Sequence, residues 1–116
     1  MKIEKFEDLQ IWQKAKELSL ISYKFFNQNK DYRFRDQIQA AAVSVMNNIA
    51  EGFERMGNEE FRKFLFISKG SCGEVRSMLY LALDLKYISK SEFDKLTSLA
   101  VEISKMLATL IKKITF

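Results

Sequence analysis

Apolar residues recur along most of the chain at alternating steps of three and four, the period of a helix that buries one face. The first such run spans about Glu7 to Phe26, with Phe6, Leu9, Trp12, Ala15, Leu18 and Phe25 on its inward side. The polar string Asn27-Gln28-Asn29-Lys30 ends it, and Asp31 is placed to cap a second helix running to about Glu54. Gly57-Asn58 signals a turn, with Asn58 capping a third helix and Glu59 and Glu60 in the first turn, where the dipole favours them. That helix carries the heptad Phe61, Leu65, Ser68, Cys72, Val75, Leu79 and Ala82 and extends to about Lys86. Ser89-Lys90-Ser91-Glu92 is a capping box, flanked by Ile88 and Phe93 at the spacing of a hydrophobic staple. The fourth helix repeats the pattern with Leu96, Ala100, Ile103, Leu107, Leu110 and Ile114. Four amphipathic helices with short connections predict one all-α domain over residues 1–116, an antiparallel up-down-up-down four-helix bundle.

The second helix breaks the apolar rule. Its heptad line reads Phe34, Ile38, Ala41, Val45, Asn48, Gly52 and Arg55, so an amide, a glycine and a cation end an otherwise inward seam. Buried polar groups cost free energy unless paired, and three in line specify a partner, a register or a site. On one face Ser44, Asn48, Glu51 and Arg55 step by four, three and four, with Lys63, Ser71 and Glu74 as complements on the third helix. In that arrangement Asn48 and Arg55 bond Glu51 or Glu74, and removing Glu51 strands a buried donor at about 1–3 kcal/mol. Two readings fit the line. One is a small-ligand or nucleotide site; the other is a structural network that fixes helix pairing or meets a neighbouring subunit.

Helix three adds two further features. Gly70-Ser71-Cys72-Gly73 falls in mid-helix, where each glycine costs about 1 kcal/mol against alanine, so a close crossing near Gly52 is expected. Cys72 lies on the apolar seam without a base and is expected to be a core thiol. Arg62, Lys69 and Arg76 repeat every seven residues, interleaved by Phe66, Gly73 and Tyr80. Cations alternating with rings suit single-stranded nucleic acid, with guanidinium on phosphate and rings on bases. A solvated face or the rim of a subunit interface has the same composition. Phe66, Ile67, Tyr80, Leu81 and Leu85 widen the apolar arc beyond one face, which predicts a homo-oligomer.

Composition narrows the chemistry. There is no proline and only four glycines, too few turn residues for a sandwich or barrel. A single cysteine excludes an internal disulfide and fits a reducing, cytoplasmic setting. No leader and no apolar run near the ~20 residues of a membrane span are seen, so no membrane association is expected. The absence of histidine removes the commonest general base and metal ligand. We therefore expect no catalytic residues, no metal, no cofactor and no enzymatic activity. The net charge of +4 is modest for one chain, but Lys105, Lys112 and Lys113 gather near the end of helix four, and an oligomer multiplies the charge toward a polyanion.

Gln37, Ala41-Ala42-Val43-Ser44-Val45 and Asn48-Ile49-Ala50-Glu51-Gly52 also carry a family likeness. So do the opening Phe6-Glu7-Asp8-Leu9 with Trp12-Gln13-Lys14-Ala15, and the later Phe61, Phe64-Leu65, Gly70-Ser71, Glu74, Leu79, Leu81-Ala82 run. Together they resemble the four-helix-bundle proteins encoded in intervening sequences of bacterial 23S ribosomal RNA genes. A related branch comprises accessory proteins of diversity-generating retroelements, which bind a reverse transcriptase and nucleic acid. The resemblance implies a ring, a pentamer above other numbers, with RNA or a nucleoprotein as partner. The chain departs from the pattern at Met46, where members often have proline, and at Gln39-Ala40, where one or two arginines are usual. Two functions follow: a non-enzymatic RNA- or nucleoprotein-binding oligomer, or a structural protein-interaction module in which the basic charge is incidental.

Overall fold

A computed structural model describes residues 3–114. A short 3-10 turn at Phe6–Asp8 leads into α1 (Gln10–Phe26), followed by α2 (Tyr32–Glu54), α3 (Asn58–Asp84) and α4 (Lys90–Lys113). Each helix packs against its chain neighbour, and α1 closes against α4, giving an up-down-up-down four-helix bundle 44 Å long and about 20 Å across. Each helix buries one stripe because its apolar residues recur near 3.6. Leu18, Phe26, Ile38, Ile49, Leu65, Leu79, Leu96, Ile103 and Leu107 are withdrawn from solvent completely along a single core.

The helix ends show how local chemistry sets the boundaries. Ser89 accepts from the Glu92 amide at 3.0 Å while the Glu92 carboxylate accepts from the Ser89 amide at 2.9 Å, completing the capping box. Ile88 and Phe93, the staple pair, are both buried. Asp31 caps α2 by accepting from the Phe34 amide and also accepts from the Tyr87 hydroxyl at 2.6 Å. One carboxylate thereby ties the α1–α2 connection to the α3–α4 connection.

Three expected boundaries or faces differ. The segment from Phe6 does not enter α1 directly: Phe6 turns back edge-on to Trp12, with ring centroids 5.2 Å apart, and Leu9 is extended before the helix begins. Asn58 is the first residue of α3, and Gly57 occupies the cap position without a side-chain bond. Phe26 rather than Phe25 is the buried end of α1. A seven-residue step drifts about 20° from the helical period, so a strict heptad loses the inward face within a few turns.

Gly52 decides how closely α2 meets α3. A β-carbon placed on it would stand 2.6 Å from Phe64 Cβ and 3.1 Å from the Phe61 ring. Gly70 and Gly73, expected at the same crossing, have nothing within 4 Å of an added β-carbon and are exposed. Only Gly52 makes the tight approach. Replacing Gly52 with alanine is expected to force the helices apart and lower stability by about 1–3 kcal/mol in chemical denaturation, the scale of overpacking in a close-packed site. An unchanged midpoint would show that α3 shifts freely.

The Asp31–Tyr87 bond gives the bundle end a pH window. The bond from Tyr87, then that from the Phe34 amide, lowers the Asp31 pKa below its ordinary value, and the bond to Asp31 raises that of Tyr87. A carboxylate with a lowered folded pKa contributes fully above its unfolded value, near 4, and the contribution fades as pH falls through the folded value. For Tyr87 the contribution is full below about 10 and fades as pH rises through the raised value. Tyr87→Phe should therefore melt below the parent at pH 7, with the difference closing toward pH 3. A constant difference would mean the ring, not the hydroxyl, matters.

Candidate nucleic-acid interface

The polar line of α2 divides into two parts. Ser44, Asn48 and Ser71 are half-buried and bonded to one another: Ser44 Oγ lies 2.8 Å from Ser71 Oγ, and Asn48 Nδ2 donates to Ser44 Oγ at 2.9 Å and to the Ser44 carbonyl at 2.8 Å. Beneath them the buried Ser68 hydroxyl donates to the Val45 carbonyl at 2.7 Å. The Ser44–Ser71 and Ser68–Val45 bonds join α2 to α3, both Asn48 bonds brace Ser44 within α2, and all four polar side chains are partnered. The arrangement is that of a register-setting network.

Glu51, Arg55 and Glu74 do not join it. Arg55 pairs with Glu51 at 3.0 Å, with about half of each side chain exposed, and reaches Glu60 at 3.8 Å. Lys63 pairs with Glu60, and Glu74 accepts from Gln37 at the surface. The expectation that Arg55 is buried comes from heptad counting, and that for Glu51 from placing it on one face with Asn48 and Arg55. Three heptads from Phe34 the line has drifted by about 60°, so Ile49 takes the inward place expected of Asn48 and Arg55 turns to solvent. The estimate for Glu51 falls with it.

The cationic line of α3 behaves differently from these exposed pairs. Arg62, Lys69 and Arg76 are half-buried on the side of α3 that faces α4, and none forms an ion pair among the described residues. Arg62 lies over the Phe66 ring at 5.5 Å. The Nε atoms of Arg62 and Arg76 are shielded from solvent without a hydrogen-bond partner. Beside them Phe66 and Tyr80 are each about half exposed, with Tyr80 edge-on to Phe93 at 5.2 Å. Cations and rings thus share one edge of α3.

Lys105, Lys112 and Lys113 stand apart from that edge. Lys105 and Lys113 border an apolar cleft of about 350 Å³ between the start of α1 and the end of α4, with Leu9, Ile11, Met106 and Leu110. Lys112 is exposed on the last turn of α4. Cys72 is a core thiol as expected. Its Sγ donates to the Ala100 carbonyl at 3.1 Å, and burial pushes its pKa up to about 11, far from the thiolate a nucleophile needs. Heptad reading of α3 alone passed over Thr97 of α4, whose hydroxyl is also shielded and unpartnered.

The division of the polar line has a measurable consequence. Asn48→Ala should lower stability by about 1 kcal/mol, since it strips two bonds from a half-buried network. Glu51→Ala should change stability by no more than ~0.5 kcal/mol, the scale of an exposed ion pair. Urea denaturation of both variants checks the order, and the reverse order would restore Glu51 to the network.

The fold has solved counterparts. A crystal structure of a protein of unknown function from the S23 ribosomal protein family of Bacteroides thetaiotaomicron superposes with a TM-score of 0.82 and 25% sequence identity. The match covers 88% of this chain and 98% of that one. No curated protein sequence matches the chain. Residues 7–109 match the family model described as 23S rRNA-intervening sequence protein, a span that holds the α2–α3 network, the cationic edge and most of α4. The chain belongs to the family of 23S rRNA-intervening sequence proteins.

Proposed function

We propose that this chain is a non-enzymatic, self-assembling bundle of the bacterial cytoplasm that binds RNA, or a nucleoprotein containing it, through the cationic edge of α3. One observation carries the reading: Arg62, Lys69 and Arg76 are half-buried cations with no carboxylate partner among the described residues. Half-burial weakens solvation of a charge, and a structural cation would normally recover it from a nearby acid. The chain does pair Arg55, Lys63, Lys14 and Lys90. An external polyanion supplies what the three lack.

Self-assembly is supported by the outer face of α3. Phe66, Ile67, Tyr80, Leu81 and Leu85 are each about half exposed there. Gly70 and Gly73 lie among them with open space above, at about 1 kcal/mol each in helix stability. A second copy packed on this face would bury Ile67, Leu81 and Leu85, leave Phe66 and Tyr80 at its rim, and use the small residues for close approach. We take the assembly as a ring of five, in which the basic edges repeat. Likeness to accessory proteins of diversity-generating retroelements makes a reverse transcriptase one candidate nucleoprotein partner.

The test is binding of fluorescein-labelled RNA by anisotropy at two salt concentrations, for the parent and for R62Q/K69Q/R76Q. The parent should bind more weakly as salt rises, and the variant should bind weakly at both. Its log–log salt slope should be smaller by roughly 0.7–0.9 for each lost phosphate contact. Sedimentation should show both proteins assembled. Equal RNA affinity for parent and variant, with assembly altered instead, would make the edge a subunit contact and the protein an interaction module.

A further inference from the structure

The register of α3 against α4 aligns the cationic line with a second line that has not been assigned a role. Tyr80 meets Phe93 at 5.2 Å, and Cys72 Sγ donates to the Ala100 carbonyl at 3.1 Å. In antiparallel helices each step up one is a step down the other. The two contacts therefore place Arg76 level with Thr97, and Lys69 level with Ser104. Thr97 and Ser104 are seven residues apart, as Lys69 and Arg76 are, so the two lines run alongside each other. Thr97 and Ser104 are half-buried; the Thr97 hydroxyl and the Arg76 Nε are both shielded and unpartnered. No carboxylate pairs with the cations among the described residues.

We infer that one RNA strand runs along the seam between α3 and α4, its phosphates held between Arg62, Lys69 and Arg76 on one side and the Ser104 hydroxyl on the other, with the shielded Thr97 hydroxyl uncovered as Arg76 turns to phosphate. This rests on the RNA reading above and adds the strand's track and its single-stranded form. Guanidinium, ammonium and hydroxyl groups all donate, and a phosphate diester offers only acceptors, so the two lips suit the same group. Successive cations are roughly 10 Å apart along α3 at 1.5 Å per residue. A flexible single strand can follow the shallow valley over two packed helices, with its bases free to stack, whereas a rigid A-form duplex keeps its bases inside. Phe66 and Tyr80 stand at the outer edge of the α3 lip, where unpaired bases can stack.

A fluorescein-labelled 20-nucleotide polyuridylate, measured by anisotropy against the intact protein, tests the track. Ser104→Glu places a carboxylate level with Lys69, where the two pair within the chain. Affinity should fall about tenfold or more, the scale of a lost charge-assisted bond, while melting and sedimentation hold. Thr97→Val, nearly equal in shape, should weaken binding several-fold. Ser98→Glu adds the same charge on the exposed side of α4 and should change affinity less than about twofold, as an exposed charge is screened. A 20-base-pair RNA duplex should bind at least about tenfold more weakly than the single strand. If the parent does not bind polyuridylate, the RNA reading fails and the track with it. If R62Q/K69Q/R76Q loses binding while Ser104→Glu and Thr97→Val do not, RNA binding stands and the track is overturned. Equal loss from Ser98→Glu and Ser104→Glu would likewise overturn it. Should Ser104→Glu not fold, Thr97→Val and Ser104→Ala decide the matter by the same comparison.

Discussion

The close approach of α2 and α3 at Gly52 is the constraint on which the bundle's arrangement depends. With no side chain at that position, Phe61 and Phe64 lie against the backbone of α2. The nearness lets Ser68 reach the Val45 carbonyl and Ser71 reach Ser44. Hydrogen bonds are directional, so they fix the axial register that apolar packing alone leaves loose. Once α2 and α3 are registered, the short connections place α1 and α4 against them. The Asp31–Tyr87 bond fastens one end of the assembly.

That arrangement gives α3 three sides of different character. One side is committed to α2 and spends its polar groups on hydrogen bonds within the chain. The edge toward α4 holds Arg62, Lys69 and Arg76 without an acid partner among the described residues, and the outward face keeps Phe66, Ile67, Leu81 and Leu85 in solvent. A long helix has circumference enough for all three roles because 3.6 residues per turn spread them around the axis. An oligomer and a polyanion therefore need not compete for one surface, although Phe66 and Tyr80 lie where the two meet.

Much of the fold was legible in the residues. Ser89 and Glu92 marked the start of α4 because a capping box is local chemistry and does not depend on what the helix packs against. The buried line of α3 was also readable, since Leu65, Ser68, Cys72, Val75, Leu79 and Ala82 follow the helical period. The error in α2 arose where Asn48 and Ile49 are adjacent, and a strict heptad chose the amide over the isoleucine. Arg55 read as buried only because that count was carried through three heptads, and Glu51 because it was placed on a face with Asn48 and Arg55. The alternative roles of Gly52, Gly70 and Gly73 lay beyond any local pattern: all three are helical, and only the position of Phe64 shows which one is crowded. Thr97 gave no signal by itself, as its relation to Arg76 exists only through the pairing of α3 with α4.

The central claim is that the guanidinium groups of Arg62 and Arg76, whose Nε atoms lack a partner among the described residues, are completed by phosphate. Heteronuclear NMR of the Arg Nε–Hε signals during addition of single-stranded polyuridylate observes those atoms directly. The account predicts that Arg62 and Arg76 shift and exchange more slowly with water, while Arg55, already paired with Glu51, stays in place. Saturating RNA that moves Arg55 and leaves Arg62 and Arg76 unchanged would contradict it.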